Sequence, residues 1–372
     1  MTHDSDAATT NTKTSPRPSA SYRDSGVDIS VGDRAKRRIA ERIRATHGPE
    51  VIHGAGLFGG FFELSPSDSP LVLVSSADSV GTKVLLAAML GAERGLGIDL
   101  VNHCVNDILA CGARPLFFLD YFATSSFDPE QLAEVVDGLT EACQAAGCAL
   151  VGGETAQLPG IYQEDAFDLA GFVVGQVRRD RLIDGSAIAA GDVVIGLPSN
   201  GLHTNGYSLA RPALGIDAPT EEAFQRLGST PDWSDRTLGE LLAAPHRSYL
   251  PVVEPLLGDP SIHGLAHITG GGLADNISRV IPDGLEAAID ITAWDVPPLF
   301  RYIQETGNID LGEMYRVFNM GIGFVLIVPA EAGGSMLSRL DGARAIGTIQ
   351  RAREPGPKAK LVGLGAAEGD PT

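Results

Sequence analysis

The chain has 372 residues, 44% of them hydrophobic, and a formal charge of -19 at pH 7. That length accommodates two domains with cores of their own. The acidity excludes a protein that grips nucleic-acid backbones, which needs a basic face, and it requires a divalent cation and local N–H groups wherever an anionic ligand is to bind. It fits equally well with simple solubility or with a salty cytoplasm.

Residues 1–20 are rich in Ser, Thr, Asp, Asn and Pro and are predicted to be a disordered tail. Arg34, Lys36, Arg37, Arg38, Arg42 and Arg44 form a basic run; 34, 38 and 42 share one helical face, read here as a solvated one. Gly54-Ala55-Gly56-Leu57-Phe58-Gly59 satisfies G-x-G-x-x-G, but Pro49 lies just upstream and 60–66 cannot open a long helix. A dinucleotide fold is therefore not expected, and a glycine loop near a site is. Strands are predicted over 71–74, 116–121 and 168–177. Helices are predicted over 84–90, 99–111 and 129–146, the last with Asp128 as N-cap and Pro129 at the first helical position. A composition shift at Arg178-Arg179-Asp180 suggests a boundary, after which 192–197 opens a second set of elements that continues through 266–272 and 322–328. The expected organisation is α/β (α+β), with domains at 21–178 and 179–352 and a flexible tail over 353–372.

Cys104, Cys111, Cys143 and Cys148 show no CxxC spacing. They read as core thiols of a reduced, cytoplasmic protein without a signal peptide, even with His103 beside Cys104. No apolar run approaches the roughly 18 residues needed to cross a bilayer; 84–90 is the best candidate and Gly91 ends it.

Acids and a lysine stand beside these apolar segments. Asp78 and Lys83 flank Val80-Gly81, and Asp78 or Ser79 could cap a helix beginning near Thr82. Asp107 interrupts an otherwise apolar helix face, where an acid is costly unless paired or metal-bound. Glu154 follows Gly152-Gly153 directly after an apolar strand, which suggests a strand end. Carboxylates suit Mg²⁺, whose remaining ligands are phosphates and water, and a lysine near glycine N–H groups suits phosphate. The order Gly81-Thr82-Lys83 is not a P-loop. The chemistry expected is therefore Mg²⁺–ATP held on loops. In the second half, Gly201-Leu202-His203-Thr204-Asn205-Gly206 supplies a loop histidine that could shuttle protons or meet phosphate. His267-Ile268-Thr269-Gly270-Gly271-Gly272 supplies a candidate phosphate nest. Asn276-Ile277-Ser278 is a sequon without consequence unless the chain is secreted.

Taken in order, these motifs resemble the phosphoribosylformylglycinamidine cyclo-ligase family, the AIR synthetases of purine biosynthesis. The segments that carry the resemblance begin with Ser21-Tyr22-Arg23-Asp24-Ser25-Gly26-Val27-Asp28, 78–83, Val105-Asn106-Asp107, 115–121 and 151–156. They continue through 203–209, 267–272 and Glu313-Met314-Tyr315-Arg316-Val317-Phe318-Asn319, so that the likeness spans about 21–350. It implies ATP-driven ring closure of formylglycinamidine ribonucleotide, an anionic ribonucleotide, by a homodimer whose N-terminal domains share a β-barrel. By resemblance, Asp78, Asp107 and Glu154 hold Mg²⁺, and Tyr22, Asp28, Asp78, Gly81, Thr82, Lys83, Asn106 and Glu154 meet ATP. Lys83, His203 and Asp107 are its catalytic candidates; His203, Asn205, Thr269, Gly270, Gly271 and Gly272 would meet substrate. The family pattern D-G-V-G-T-K has Ser79 here in place of its first glycine, at a cost of about 1–2 kcal/mol if φ is positive there. Gln157 and Ser278 also depart from the pattern. Selenophosphate synthetase, a relative, would want a reactive cysteine near the N-terminus, and none precedes Cys104. A kinase relative would not need Tyr315-Arg316, and a silent nucleotide-binding paralogue would tolerate loss of one of the four charged residues Asp78, Lys83, Asp107 and Glu154.

Overall fold

The computed structural model describes residues 21, 51–53, 57, 58, 60–64, 70–164 and 166–363. The expectations on 1–20, Tyr22, Asp28, the basic run 34–44, Gly54-Ala55-Gly56, Gly59 and the end from 364 lie outside those residues.

The first half contains β1 (Val51–His53), β2 (Gly60–Glu63), β3 (Leu71–Ser79), α1 (Lys83–Leu90), α2 (Glu93–Leu109), β4 (Arg114–Thr124), α3 (Pro129–Ala146), β5 (Ala149–Gln157) and β6 (Phe167–Arg178). Its sheet runs β1-β2-β3-β6-β4-β5. Neighbours are antiparallel except β4 and β5, whose parallel pairing needs the crossover that α3 provides. The glycine-rich stretch after β1 is followed by strand β2, not by a helix.

Helix α3 starts where its cap demands: Asp128 Oδ1 accepts from the N–H groups of Glu130 and Gln131, and Pro129 needs no donor partner. Helix α2 begins earlier than the apolar pattern indicated, and from Leu96 almost every residue is buried, including Asp99, Asn102, His103, Asn106 and Asp107. It can sit this deep because α3 crosses it at two glycines. A Cβ on Gly97 would lie 2.2 Å from the Val135 carbonyl, and one on Gly138 2.0 Å from that of Arg94.

Past Arg178 come β7 (Val193–Pro198), α4 (Tyr207–Ala213), α5 (Glu221–Leu227), α6 (Leu238–Leu242), α7 (Leu250–Val253), β8 (Gly264–His267), α8 (Gly272–Ser278) and β9 (Leu285–Asp290). Then follow α9 (Pro298–Gly307), α10 (Leu311–Val317), β10 (Ile322–Val328), α11 (Ala330–Arg339), β11 (Arg344–Arg351) and β12 (Ala359–Val362). The sheet order is β12-β9-β11-β7-β10-β8, with only β12–β9 parallel. Strand β10, Val/Ile/Leu-rich and buried throughout, is an interior strand. The chain is thus two α/β halves, each built on its own mixed sheet. Strand β12 corrects the expected tail from 353: Ala359 is buried, and the strand completes the second sheet.

The turn after β3 also differs from expectation. Helix α1 starts at Lys83, and neither Asp78 nor Ser79 caps it; Asp78 Oδ1 accepts from the Ser79 N–H instead. Among the described residues, positive φ outside glycine occurs only at His203, Asn308 and Met320. Ser79 therefore costs no backbone strain.

Candidate active site

Strand alternation puts Ser76 and Asp78 of β3 on one face of the first sheet, toward α2. There Asp78 Oδ2 forms an ion pair with His103 Nε2 at 2.9 Å, and Ser76 Oγ donates to Asp107 Oδ2 at 2.8 Å. Burial alone would raise the Asp78 carboxyl, but the facing His103 outweighs it and draws the pKa down to about 2. Burial likewise opposes charge on His103, and Asp78 overrides it, pushing the imidazole up to about 9. The second half contributes His267, at the end of β8, whose Nδ1 lies 2.8 Å from Asp107 Oδ1.

The hydrogen-bond directions follow from what each group can donate. A carboxylate only accepts, so His267 Nδ1 carries the proton toward Asp107. Burial holds His267, His246 and His203 below the usual histidine value, so each is neutral and has one N–H. His267 Nε2 is then an acceptor, and His246 Nε2, 3.0 Å away, is its donor. His246 Nδ1 must accept, and the Thr204 hydroxyl is its donor at 3.3 Å. That leaves Thr204 Oγ1 to accept from His103 Nδ1 at 2.7 Å, as a protonated His103 allows. A single path therefore runs from Asp78 to Asp107: the ion pair of Asp78 with His103, then directional hydrogen bonds through Thr204, His246 and His267.

His203 sits beside this path. Its left-handed backbone (φ 62) turns the ring into the space that a side chain at Gly323 would fill. The ring stacks on His246 at 4.0 Å and 19°, and both its nitrogens are buried without a hydrogen-bond partner. The nitrogens of His203, His246 and His267 lie within 4.8 Å of one another. The His203 and His246 rings are nearly parallel and cannot both aim in-plane lone pairs at one ion, and the oxygen donors of Asp78 and Asp107 suit a hard cation better.

Lys83 lies behind the site. It is 1% exposed, with Nζ 2.7 Å from Asp99 Oδ2 and donating to the Ala244 carbonyl at 2.8 Å. Burial pushes its pKa below the usual lysine value and that of Asp99 above the usual carboxylate value, and their mutual attraction counters both. Ala244 opens an irregular segment, 244–249, that α2 holds along its length. His246 N–H donates to Asp99, Asn102 to the His246 carbonyl, Asn106 to the Arg247 carbonyl, and Tyr249 N–H to Asn106 Oδ1. Arg247 and the Tyr249 hydroxyl also donate to the Pro198 carbonyl of β7, so the segment straps the two halves together. Asn106, expected at ATP, is one of its clamps.

Thr82 and Asn205 stand at the rim: Thr82 Oγ1 is 2.8 Å from Ser208 Oγ, and Asn205 Nδ2 donates to Thr204. In the 269–272 turn, Gly272 is left-handed (φ 66), and a Cβ there would meet the Tyr315 carbonyl at 2.0 Å, so only glycine fits. The Gly272 N–H is used within the turn, on the Thr269 carbonyl, which leaves the Gly270 and Gly271 N–H groups as the candidates for an anion. Asn276, set aside above as part of a sequon, is the clamp of this turn. Its Nδ2 donates to the carbonyls of Thr269, Gly270 and Gly272. Asn319 does the same for the start of the 199–206 loop, accepting from Ser199 and donating to the Gly201 carbonyl.

Glu154 does not join the other acids. Strand β5 continues through it to Gln157, so it is not at a strand end. Asp78 is in register with Gly171, Asp120 and Gly153; Glu154 is the next residue and points to the opposite face. Three strand spacings, roughly 14 Å, separate it from Asp78. The cysteines take no part; Cys104, Cys111 and Cys143 are buried in the core.

Two mixed-sheet halves closed over a buried acid–histidine cluster define the class of two-domain AIR synthase related proteins. The N-terminal domain model of that class matches residues 64–177 and the C-terminal one residues 189–360. Among relatives, the phosphoribosylformylglycinamidine cyclo-ligase of Pseudothermotoga lettingae is 48% identical over 92% of this chain and 99% of its own length. That of Methylobacillus flagellatus is 49% identical over 85% of this chain and 89% of its own. The chain belongs to the phosphoribosylformylglycinamidine cyclo-ligase family. Solved structures share the fold at low identity. Thiamine monophosphate kinase from Aquifex aeolicus superposes with a TM-score of 0.57 at 15% identity, covering 90% of this chain and 96% of that one. Hydrogenase maturation protein HypE in complex with ATP gives 0.57 at 20%, covering 88% and 92%.

Proposed function

We propose that the chain catalyses the ATP-dependent cyclisation of formylglycinamidine ribonucleotide to 5-aminoimidazole ribonucleotide, releasing ADP and phosphate. The observation that carries this reading is the similarity to a cyclo-ligase along 99% of that enzyme's length. An amide oxygen leaves poorly, so ATP first converts the formyl oxygen to a phosphate ester, giving an iminophosphate. The amidine nitrogen then attacks that carbon, the new C–N bond forms, and phosphate departs. Positioning and charge neutralisation supply most of the rate in such chemistry.

Asp78 and Asp107 would hold Mg²⁺–ATP; bound Mg²⁺ neutralises phosphate charge during transfer. His103 and His267 orient these carboxylates, and Gly81 and Thr82 approach the nucleotide from the same rim. The Gly270 and Gly271 N–H groups, with Asn205 and Thr269, receive the substrate's phosphate. Lys83 and Asn106 act from behind, by fixing the strap. Glu154 reaches a nucleotide site only through a second copy of the chain. A homodimer formed on the outer face of the first sheet, where Phe172 and Val151 are exposed, would supply one. The test is ADP release by the purified protein with Mg²⁺–ATP, with and without the amidine substrate. ATP hydrolysis indifferent to that substrate would favour another ATP-dependent relative.

A further inference from the structure

The path between the two aspartates passes through His246, which neither the sequence motifs nor the proposed ligand set includes. His246 lies on the 244–249 strap, is 1% exposed, and is fixed to α2 by its own backbone: its N–H donates to Asp99 and its carbonyl accepts from Asn102. Its ring then bridges outward, Nδ1 toward Thr204 on the loop after β7 and Nε2 toward His267 at the end of β8. Within this path, only His246 reaches α2, the loop after β7 and the end of β8 by hydrogen bonds of its own.

The geometry points to His246 as a positioning residue for Asp107: the proton it directs at His267 Nε2 obliges the opposite nitrogen, Nδ1, to carry the proton that orients the Asp107 carboxylate. This rests on Asp107 belonging to the nucleotide site proposed above. Without the His246 N–H, His267 Nε2 would be a buried acceptor with nothing to accept from, a state costly enough for the ring to turn over or exchange tautomers. Either change removes the donor facing Asp107. Partners of this kind, acting behind the groups that meet a metal, typically change affinity or activity by 10- to 100-fold. The strap location gives the arrangement a further consequence. The same segment docks the two halves, so the orientation of Asp107 is tied to their being closed on each other.

Two substitutions separate this role from simple packing. The amide nitrogen of Gln reaches the place of histidine Nε2 and can donate as it does, whereas Asn reaches only the place of Nδ1, where its amide oxygen can accept from Thr204. His246→Gln therefore keeps a donor to His267, and His246→Asn keeps only the Thr204 side; both retain the backbone bonds to Asp99 and Asn102. We expect His246→Gln to stay within a few-fold of wild type and His246→Asn to lose about tenfold or more in kcat/KM for ATP. Equal losses in the two variants would show a packing role and overturn the proposal, as would full activity in both. Long-range ¹H–¹⁵N spectra of the histidine rings give a reading independent of turnover. In the wild type, His246 should be the Nε2–H tautomer and His267 the Nδ1–H tautomer, and in His246→Asn the His267 assignment should be lost. The opposite tautomers in the wild type would overturn the proposal even if neither variant folded. Absence of substrate-dependent turnover in the wild type would instead sink the functional reading and leave the spectra to decide the positioning role.

Discussion

At Asp78 and His103 two opposed shifts belong to one ion pair, and their signs set a pH window. His103 has its pKa raised to about 9 from 6.5, so its contribution to stability is fully present below 6.5 and is lost as pH rises through about 9. Asp78, lowered from 3.8 to about 2, contributes above 3.8 and loses that as pH falls through about 2. Urea midpoints should therefore fall between about pH 6.5 and pH 9.5 in the wild type, and Asp78→Asn should flatten that fall; an equally steep fall in the variant would dissociate the effect from this pair. Asp107→Asn keeps shape and burial but would weaken the proposed metal ligand. Turnover should drop on the order of 100-fold, with the thermal midpoint little changed. Asp78 and Asp107 stood out in the sequence because an acid before a glycine turn or on an apolar helix face calls for a partner, and each has a histidine against it. Asn276 and His246 were not visible. Each works by bonding backbone groups or a ring far away in sequence, and a lone histidine after Pro245 or an asparagine in a sequon carries no local sign of that.

Helix α2 is the element on which both halves rest. It carries Asp99, Asn102, His103, Asn106 and Asp107, and its partner α3 approaches within backbone contact at Gly97 and Gly138. Gly97→Ala would force the helices apart and should cost about 1–3 kcal/mol, read as a lower urea midpoint with an unchanged slope. Removing the cation of the buried pair, as in Lys83→Met, leaves Asp99 uncompensated and should cost about 3–5 kcal/mol. A phosphate-binding lysine on a loop would instead affect ATP affinity with little effect on stability, so the two readouts together decide where Lys83 acts. The strands at β3, β4, β6 and β10 were legible because apolar, β-branched runs need a sheet to bury them. Lys83 was expected at phosphate from its neighbours, Gly81 and Thr82, which lie at the rim; one residue later the chain enters α1 and the side chain turns inward. Glu154 was misplaced because two glycines look like a strand end, whereas here they lie inside β5, and one step along a strand reverses the face.

The two-half architecture followed from the alternation of strand-like and helix-length segments. What the sequence could not place was how the halves meet. Much of that contact is made by the 244–249 segment, which has no periodicity of its own and is defined by its bonds to Lys83, to α2 and to Pro198. The outer face of the first sheet, with Val151 59% and Phe172 46% exposed, belongs to the same scale. Sedimentation equilibrium should return twice the mass of 38.9 kDa, and charged substitutions at both positions should return it once. The most direct measurement is product stoichiometry: ADP and aminoimidazole ribonucleotide assayed together from the purified protein with Mg²⁺–ATP and formylglycinamidine ribonucleotide. The account predicts that ADP appears only when that substrate is present and is matched one-to-one by aminoimidazole. ADP released without it, or unaccompanied by the ring-closed product, would contradict the account.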